Sequence, residues 1–320
     1  MTFKATATDL SLCQRCPRLM AYHKNGKKNV WLVGFADTRA SYGKLFHDEI
    51  AEKFHIDVAG GKLPELVEVF SSGESELKTH LTGLIRTRYF APFLAKKSAA
   101  LKSECLIAMG GETEFWVQCL ADFLSGIPSL FASPEIFLSD VFRPPGRILS
   151  AAYPYSDGNI LRVSGKYDCM LFNPDIKEAA LFEFKGFKST DVTIELSQTL
   201  IYAWLVSVTA DIIPSVNLIY LKNDAPFSFT AADVKDMLCK LPHLFDRVRL
   251  VLENRLPLPA ASNLELCRNC NYQNKCDADW GEQRVSSNIS RQSGVGRDEI
   301  SNVLSDEGRQ RMNQLIEALR

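Results

Sequence analysis

The chain has 320 residues, enough for one large domain or two small ones. It is 46% hydrophobic, 23% charged and 10% aromatic, which excludes a disordered, collagen-like or fibrous chain. Lys plus Arg number 37 against 38 Asp plus Glu, so the formal net charge is -1; that excludes holding nucleic acid by global charge but leaves room for a local basic groove.

The first 55 residues read as helical. Up to position 46 they carry Lys4, Arg15, Arg18, Lys24, Lys27, Lys28, Arg39 and Lys44 against only Asp9 and Asp37. That bias fits a solvated helix surface or a phosphate-contacting face. Residues 56–130 read as a helical insertion without chemistry of its own. ELVEVF, LTGLIRTRYFAPFL and TEFWVQCLADFL space their apolar residues for helices, punctuated by Gly-Gly at 60–61 and 110–111 and by Pro64 and Pro128. Strand character runs from about 133 to 186 through PEIFLSDVFR, ILSAAY, ILRVSGKYDCMLF and AALFEFKGF. A helix over 193–209, a strand over 216–222 and a helix over 231–254 follow. Residues 281–300 form a polar tail, and SDEGRQRMNQLIEALR closes the chain as an amphipathic helix with Ser305 as N-cap. The expected class is α/β.

The most informative stretch is VSGKYDCMLFNPDIKEAALFEFKG. Two β-runs flank Asn173-Pro174-Asp175-Ile176-Lys177-Glu178, a turn-forming sequence. An antiparallel hairpin centred there sets Asp168 opposite Glu183, and strand alternation puts Glu183 and Lys185 on one face. Two converging carboxylates raise each other's pKa unless a cation intervenes, and Mg²⁺ or Mn²⁺ is the natural guest. Lys185 would bring positive charge to an anionic transition state. On the following helix Gln198 and Tyr202 stand at i, i+4, a polar island on an apolar element. His47, in Gly43-Lys44-Leu45-Phe46-His47, is a further candidate ligand, with Asp48 and Glu49 on other, solvated faces.

No run of about 18 apolar residues occurs, so no transmembrane helix is expected. MTFKATATDL lacks the basic-then-apolar pattern of a signal peptide. Nine cysteines, an odd number, then read as thiols or metal ligands in a reducing, cytoplasmic setting. Cys267, Cys270 and Cys276 form a C-x₂-C-x₅-C run that needs one more ligand for a Cys₄ zinc site or an iron–sulfur cluster. The N-terminal pair, Cys13 and Cys16, can supply it, with Cys16 favoured. Zinc is the default from the ligands alone, although the spacing departs from the usual paired C-x₂-C arrangement. Such a link closes a loop of about 250 residues, worth roughly 5 kcal/mol of chain entropy. Cys105, Cys119, Cys169 and Cys239 read as core.

Taken in order, these elements resemble the iron–sulfur branch of the PD-(D/E)XK nuclease superfamily: RecB-like nuclease domains and CRISPR-associated exonucleases of the Cas-four type. Cys16-Pro17-Arg18 is similar to the cluster-cysteine element and Gly43-x₃-His47 to the metal-binding histidine element. Gly165-Lys166-Tyr167-Asp168 resembles the first acidic motif, Glu183-Phe184-Lys185 the (D/E)-x-K motif and Gln198-x₃-Tyr202 the Q-x₃-Y element, and Cys267, Cys270 and Cys276 resemble the closing triplet. The resemblance implies a restriction-endonuclease-like mixed central sheet over 1–280, with a helical insertion at about 56–130. About 1–30 and 257–280 would form an iron–sulfur cap joining both chain ends, and 281–320 a tail. It further implies a Mg²⁺- or Mn²⁺-dependent single-stranded DNA exonuclease with a structural [4Fe–4S] cluster. Asp168, Glu183 and His47 would hold the ion, and partners would be CRISPR adaptation proteins or a separate helicase. Two features depart from the pattern: Tyr167, not Pro, precedes Asp168, and the stretch from His47 to the strands is long. No G-x₄-GK[ST] loop accompanies the motifs, so the chain is no combined helicase–nuclease. A non-catalytic DNA-binding scaffold subunit and an iron–sulfur redox sensor are the rival readings.

Overall fold

A computed structural model describes residues 1–24, 45–71, 76–97, 103–143, 147–185, 192–220 and 227–254, with Leu258, Cys267, Cys270, Tyr272 and Cys276. The chain opens with a strand where a helix was expected. In β1 (Thr2–Thr6) Phe3 and Ala5 point inward between exposed neighbours, a two-residue period that suits a sheet face. Thr6 then caps α1 (Ala7–Arg15) through a capping box. The Asp9 amide donates to Thr6 Oγ1 at 3.1 Å and the Thr6 amide to Asp9 Oδ2 at 2.8 Å. After Cys16, α2 (Pro17–Lys24) starts on a proline, whose missing N–H costs nothing in a first turn.

Seven helices follow in the described residues: α3 (Glu52–Ala59), α4 (Glu65–Ser71), α5 (Leu77–Ile85), α6 (Ala91–Lys97), α7 (Ser103–Ser125), α8 (Pro128–Ala132) and α9 (Pro134–Val141). Wider π-helical turns at His47–Ala51 and Arg86–Phe90 lead into α3 and α6. Gly110 and Gly111 do not interrupt α7. Each glycine costs a helix about 1 kcal/mol relative to Ala, and burying Trp116, Val117, Leu120 and Leu124 on the same helix outweighs it. PEIFLSDVFR is mostly helix rather than strand: Pro134 sits in the first turn, and Leu138 and Val141 are buried three residues apart.

The strands are β2 (Phe142–Arg143), β3 (Ile148–Pro154), β4 (Ile160–Lys166), β5 (Cys169–Asn173) and β6 (Glu178–Lys185). After α10 (Val192–Ala210) come β7 (Ser215–Tyr220), β8 (Phe227–Phe229), α11 (Ala231–Leu238) and α12 (Leu241–Leu252). The helix expected over 231–254 is thus two, with Pro242 in the first turn of the second. The strands build two sheets instead of one central sheet: β1–β4–β3 and β2–β5–β6–β7–β8. β1–β4 and β6–β7 are parallel and the other pairs antiparallel, so both sheets are mixed.

Two apolar cores flank β6. Its Leu181 joins Val216, Leu218 and the α10 residues Leu200, Ile201 and Leu205 in one. Its Ala180, Phe182 and Phe184 join Phe46, Phe54, Trp116 and the helices before β2 in the other. A strand buried on both faces is expected to read as a continuous apolar run, and AALFEFK does so except at Glu183 and Lys185. No helix among the described residues is long and apolar enough to cross a membrane. The tail over 281–300, the helix after Ser305 and the basic residues Lys27, Lys28, Arg39 and Lys44 lie outside the described residues.

Candidate metal centre and cysteine cap

The β5–β6 hairpin has the expected register, with Cys169 paired to Phe182 and Asn173 to Glu178. Its turn is held from inside. The Asp175 amide donates to Asn173 Oδ1 at 3.0 Å, and buried Asn173 donates to the Gly126 carbonyl at 2.9 Å. Lys177 takes the left-handed conformation that closes the turn (φ 55°). The same register, carried one residue beyond β5, sets Asp168 against Glu183. Asp168 Oδ2 accepts the Phe184 amide at 3.0 Å, which leaves Oδ1 for other partners.

Glu183 is 4% exposed, a carboxylate inside an apolar strand. Its Oε1 accepts from Lys185 Nζ at 2.7 Å. Lys185 Nζ also donates to Gln198 Oε1 at 2.8 Å, and Gln198 Nε2 donates to the Tyr202 hydroxyl oxygen at 2.8 Å. The polar island on α10 is therefore the far end of one chain of bonds that begins at Glu183. Gly165 makes room for it: a Cβ there would stand 2.8 Å from Tyr202 Cε1 and 3.1 Å from Ala7 Cβ and Leu205 Cδ1. Burial, then the charge of Asp168, pushes the Glu183 carboxyl well above its ordinary range, against the pull of Lys185. Burial opposes charge on Lys185, yet the Glu183 carboxylate outweighs it and holds the ammonium more firmly protonated than usual. Burial likewise raises the Tyr202 phenol, which stays neutral.

His47 reaches the same place from the π-helical turn. Its Nε2 lies 3.4 Å from Asp168 Oδ1, and its Nδ1 lies 2.8 Å from Asp48 Oδ1 and 3.9 Å from Glu52 Oε2. Asp48 is thus not turned away from the histidine, as its position next to His47 suggested. Glu49 does face outward, toward Lys53. Glu52, which also pairs with Lys166 Nζ at 3.2 Å, was missed. It follows His47 by five residues, a spacing that a helix of period 3.6 turns away and a π-helical turn brings back, and no residue pattern announces that turn. Among the described residues His47, Asp48 and Glu52 are the group whose donor atoms lie within 4.8 Å of one another.

Two atoms of this centre are buried and make no hydrogen bond in the structure, Glu183 Oε2 and His47 Nε2. An unsatisfied buried carboxylate oxygen costs about 1–3 kcal/mol or more. Asp168 and His47 both act on the charge of Glu183, and two carboxylates with an imidazole have the donor chemistry that suits a hard divalent cation.

The cysteines gather at the opposite chain ends. Cys16 caps α1 in extended conformation and is half-buried, as are Cys267, Cys270 and Cys276. The Cys267 thiol is pushed up to about 12 by burial and then by Cys16, Cys270 and Cys276, which places the four sulfurs in one neighbourhood. Cys13 is fully buried in the apolar core, where burial pushes its thiol up to about 12. Cys169 is core as expected and Cys119 is half-buried. Cys239 is exposed, donating to the Asp236 carbonyl past the end of α11; nothing is described for the side chain of Cys105.

The chain has a counterpart among known families. The chain belongs to the PD-(D/E)XK nuclease superfamily, whose family model matches residues 4–277, from β1 to just past Cys276. The superfamily consists of metal-dependent nucleases, so the fold implies phosphodiester hydrolysis in DNA. No curated protein matches the chain significantly.

Proposed function

We propose that this chain is a Mg²⁺- or Mn²⁺-dependent exonuclease of single-stranded DNA, of the iron–sulfur, RecB-like branch of its superfamily. The observation that carries the reading is the convergence of Asp168, Glu183 and Lys185 around an unsatisfied carboxylate oxygen. Asp168, Glu183 and His47 would hold the ion. A divalent cation there supplies Lewis acidity toward the scissile phosphate and lowers the pKa of nearby water. The protein does the rest. Lys185 occupies Glu183 Oε1, which keeps Oε2 turned to the centre. Gln198, itself held by Tyr202, fixes the ammonium where it can stabilise charge developing on a phosphate.

Cys16, Cys267, Cys270 and Cys276 would hold a [4Fe–4S] cluster as a staple between chain ends. Zinc needs sulfurs about 3.8 Å apart, the edge of a tetrahedron with ~2.3 Å bonds. A [4Fe–4S] cluster holds its four thiolates further apart, and iron and acid-labile sulfide content separates the two. Residues 1–280 would form one nuclease unit, with the helices between about 56 and 130 inserted into it.

End-labelled single-stranded DNA, incubated with and without Mn²⁺, tests the reading, and iron and acid-labile sulfide analysis tests the cap. Wild type should shorten the DNA only with the metal. Glu183→Gln and Lys185→Met should each lose about 10²–10³-fold in rate or more while keeping the iron content. DNA binding without cleavage would instead favour a scaffold subunit, and undiminished cleavage by both variants would overturn the assignment.

A further inference from the structure

The cap contains a cation that the cysteine set does not account for. Arg18 lies in the first turn of α2, two residues after Cys16. Its Nε donates to the Leu258 carbonyl oxygen at 2.7 Å, and its Nη1 donates to Cys276 Sγ at 3.6 Å. One planar guanidinium thus touches the C-terminal segment at two points, 240 and 258 residues along the chain. Four residues further on α2, on the same helical face, Tyr22 stacks on Tyr272 with ring centroids 5.0 Å apart and planes at 10°. Tyr272 is 2% exposed, so this contact is part of the core. The N-terminal helices therefore present a thiol, a rigid fork and a ring to the C-terminal cysteines.

We propose that Arg18 is a positioning residue of the cap, donating an N–H···S bond to the Cys276 thiolate while its other edge anchors the chain at Leu258. The inference rests on the iron–sulfur reading of the four cysteines. Four thiolates around one bound group repel one another, and Arg18 is close enough to Cys267 as well to offset that repulsion. A hydrogen bond to a ligating sulfur withdraws electron density, which stabilises the reduced, more negative state of the bound group. Lysine cannot replace it in full: an ammonium supplies the charge, but not two N–H edges in one plane.

The test uses the full chain, purified without oxygen, as wild type, Arg18→Gln and Arg18→Lys. The readouts are iron and sulfide content, the reduction midpoint and the rate at which a chelator bleaches the protein. Arg18→Gln should shift the reduction equilibrium at least tenfold toward the oxidised form, about 59 mV for one electron, and should bleach faster. Arg18→Lys should recover part of the potential and little of the resistance to chelator. A merely structural role would leave the potential of cluster-loaded variants unchanged. Wild-type potential and bleaching rate in Arg18→Gln overturns the proposal; where that variant fails to load, the same result in Arg18→Lys overturns it. Wild type lacking both iron and sulfide would instead refute the cluster itself, a separate outcome.

Discussion

Glu183 and His47 show how little of a candidate site residue's setting is written in its neighbours. The Glu183–Lys185 relation was legible, because alternation along a strand puts residues two apart on one face whatever lies around them. Asp48 was not. Adjacent residues on a helix diverge, yet within this π-helical turn the Asp48 carboxylate meets His47 Nδ1 at 2.8 Å. With the ring N–H directed to Asp48, the Nε2 lone pair is left facing Asp168, the tautomer a metal ligand needs. Asp48→Asn should therefore weaken Mn²⁺ binding by about 10–100-fold, read as free Mn²⁺ by electron paramagnetic resonance. Thermal stability should barely change, because the Asp48 side chain is 43% exposed. Wild-type affinity in that variant would make the Asp48 contact incidental.

At the scale of elements, the hairpin, α10 and β7 were readable because each combines one clear period with clear ends. β1 was not, since five residues before a helix offer too short a pattern. The two-sheet division was not, since it depends on β1 pairing with β4, more than 150 residues away. Gly165 shows the same limit. In sequence it is one letter of a motif; in the fold it is the place where β4 lets the Tyr202 ring approach. Gly165→Ala would put a methyl group 2.8 Å from that ring and 3.1 Å from Ala7 Cβ, so the Tyr202 ring or the strand must shift. We expect a loss of about 1–3 kcal/mol, seen in thermal or denaturant unfolding. Because Tyr202 holds Gln198 and Gln198 holds Lys185, nuclease activity should fall further than stability accounts for. Unchanged melting and activity together would show that the ring does not need the glycine.

Across the whole molecule, the centre lies on the partition between two cores, and the two have different chemical sensitivities. The helical core encloses His55, fully buried, with neither ring nitrogen hydrogen-bonded in the structure. Its imidazole is stacked over Trp116 at 6.0 Å and lies 5.2 Å from the Phe142 ring. Burial, and in second place the electrostatic influence of His47, pushes its pKa down to about 3. An unfolded histidine titrates near 6.5. Above that value neither state holds the proton and stability is full. As pH falls from about 6.5 to 3 the unfolded chain takes up a proton that the folded core refuses. That imbalance removes stability progressively, up to about 5 kcal/mol from this group alone. The helical core should thus yield to acid first, exposing the Phe184 face of β6 while Glu183 and Lys185 still face α10. Trp116 reports on it directly and Trp204, which packs against the other core, serves as the internal control. In single-tryptophan variants, Trp116 fluorescence should change at a higher pH than Trp204 fluorescence. His55→Leu, which keeps an apolar group at the site, should bring the two transitions together. Coincident transitions in the parent chain would mean that β6 couples the cores into one cooperative unit and that His55 does not set the order of their loss.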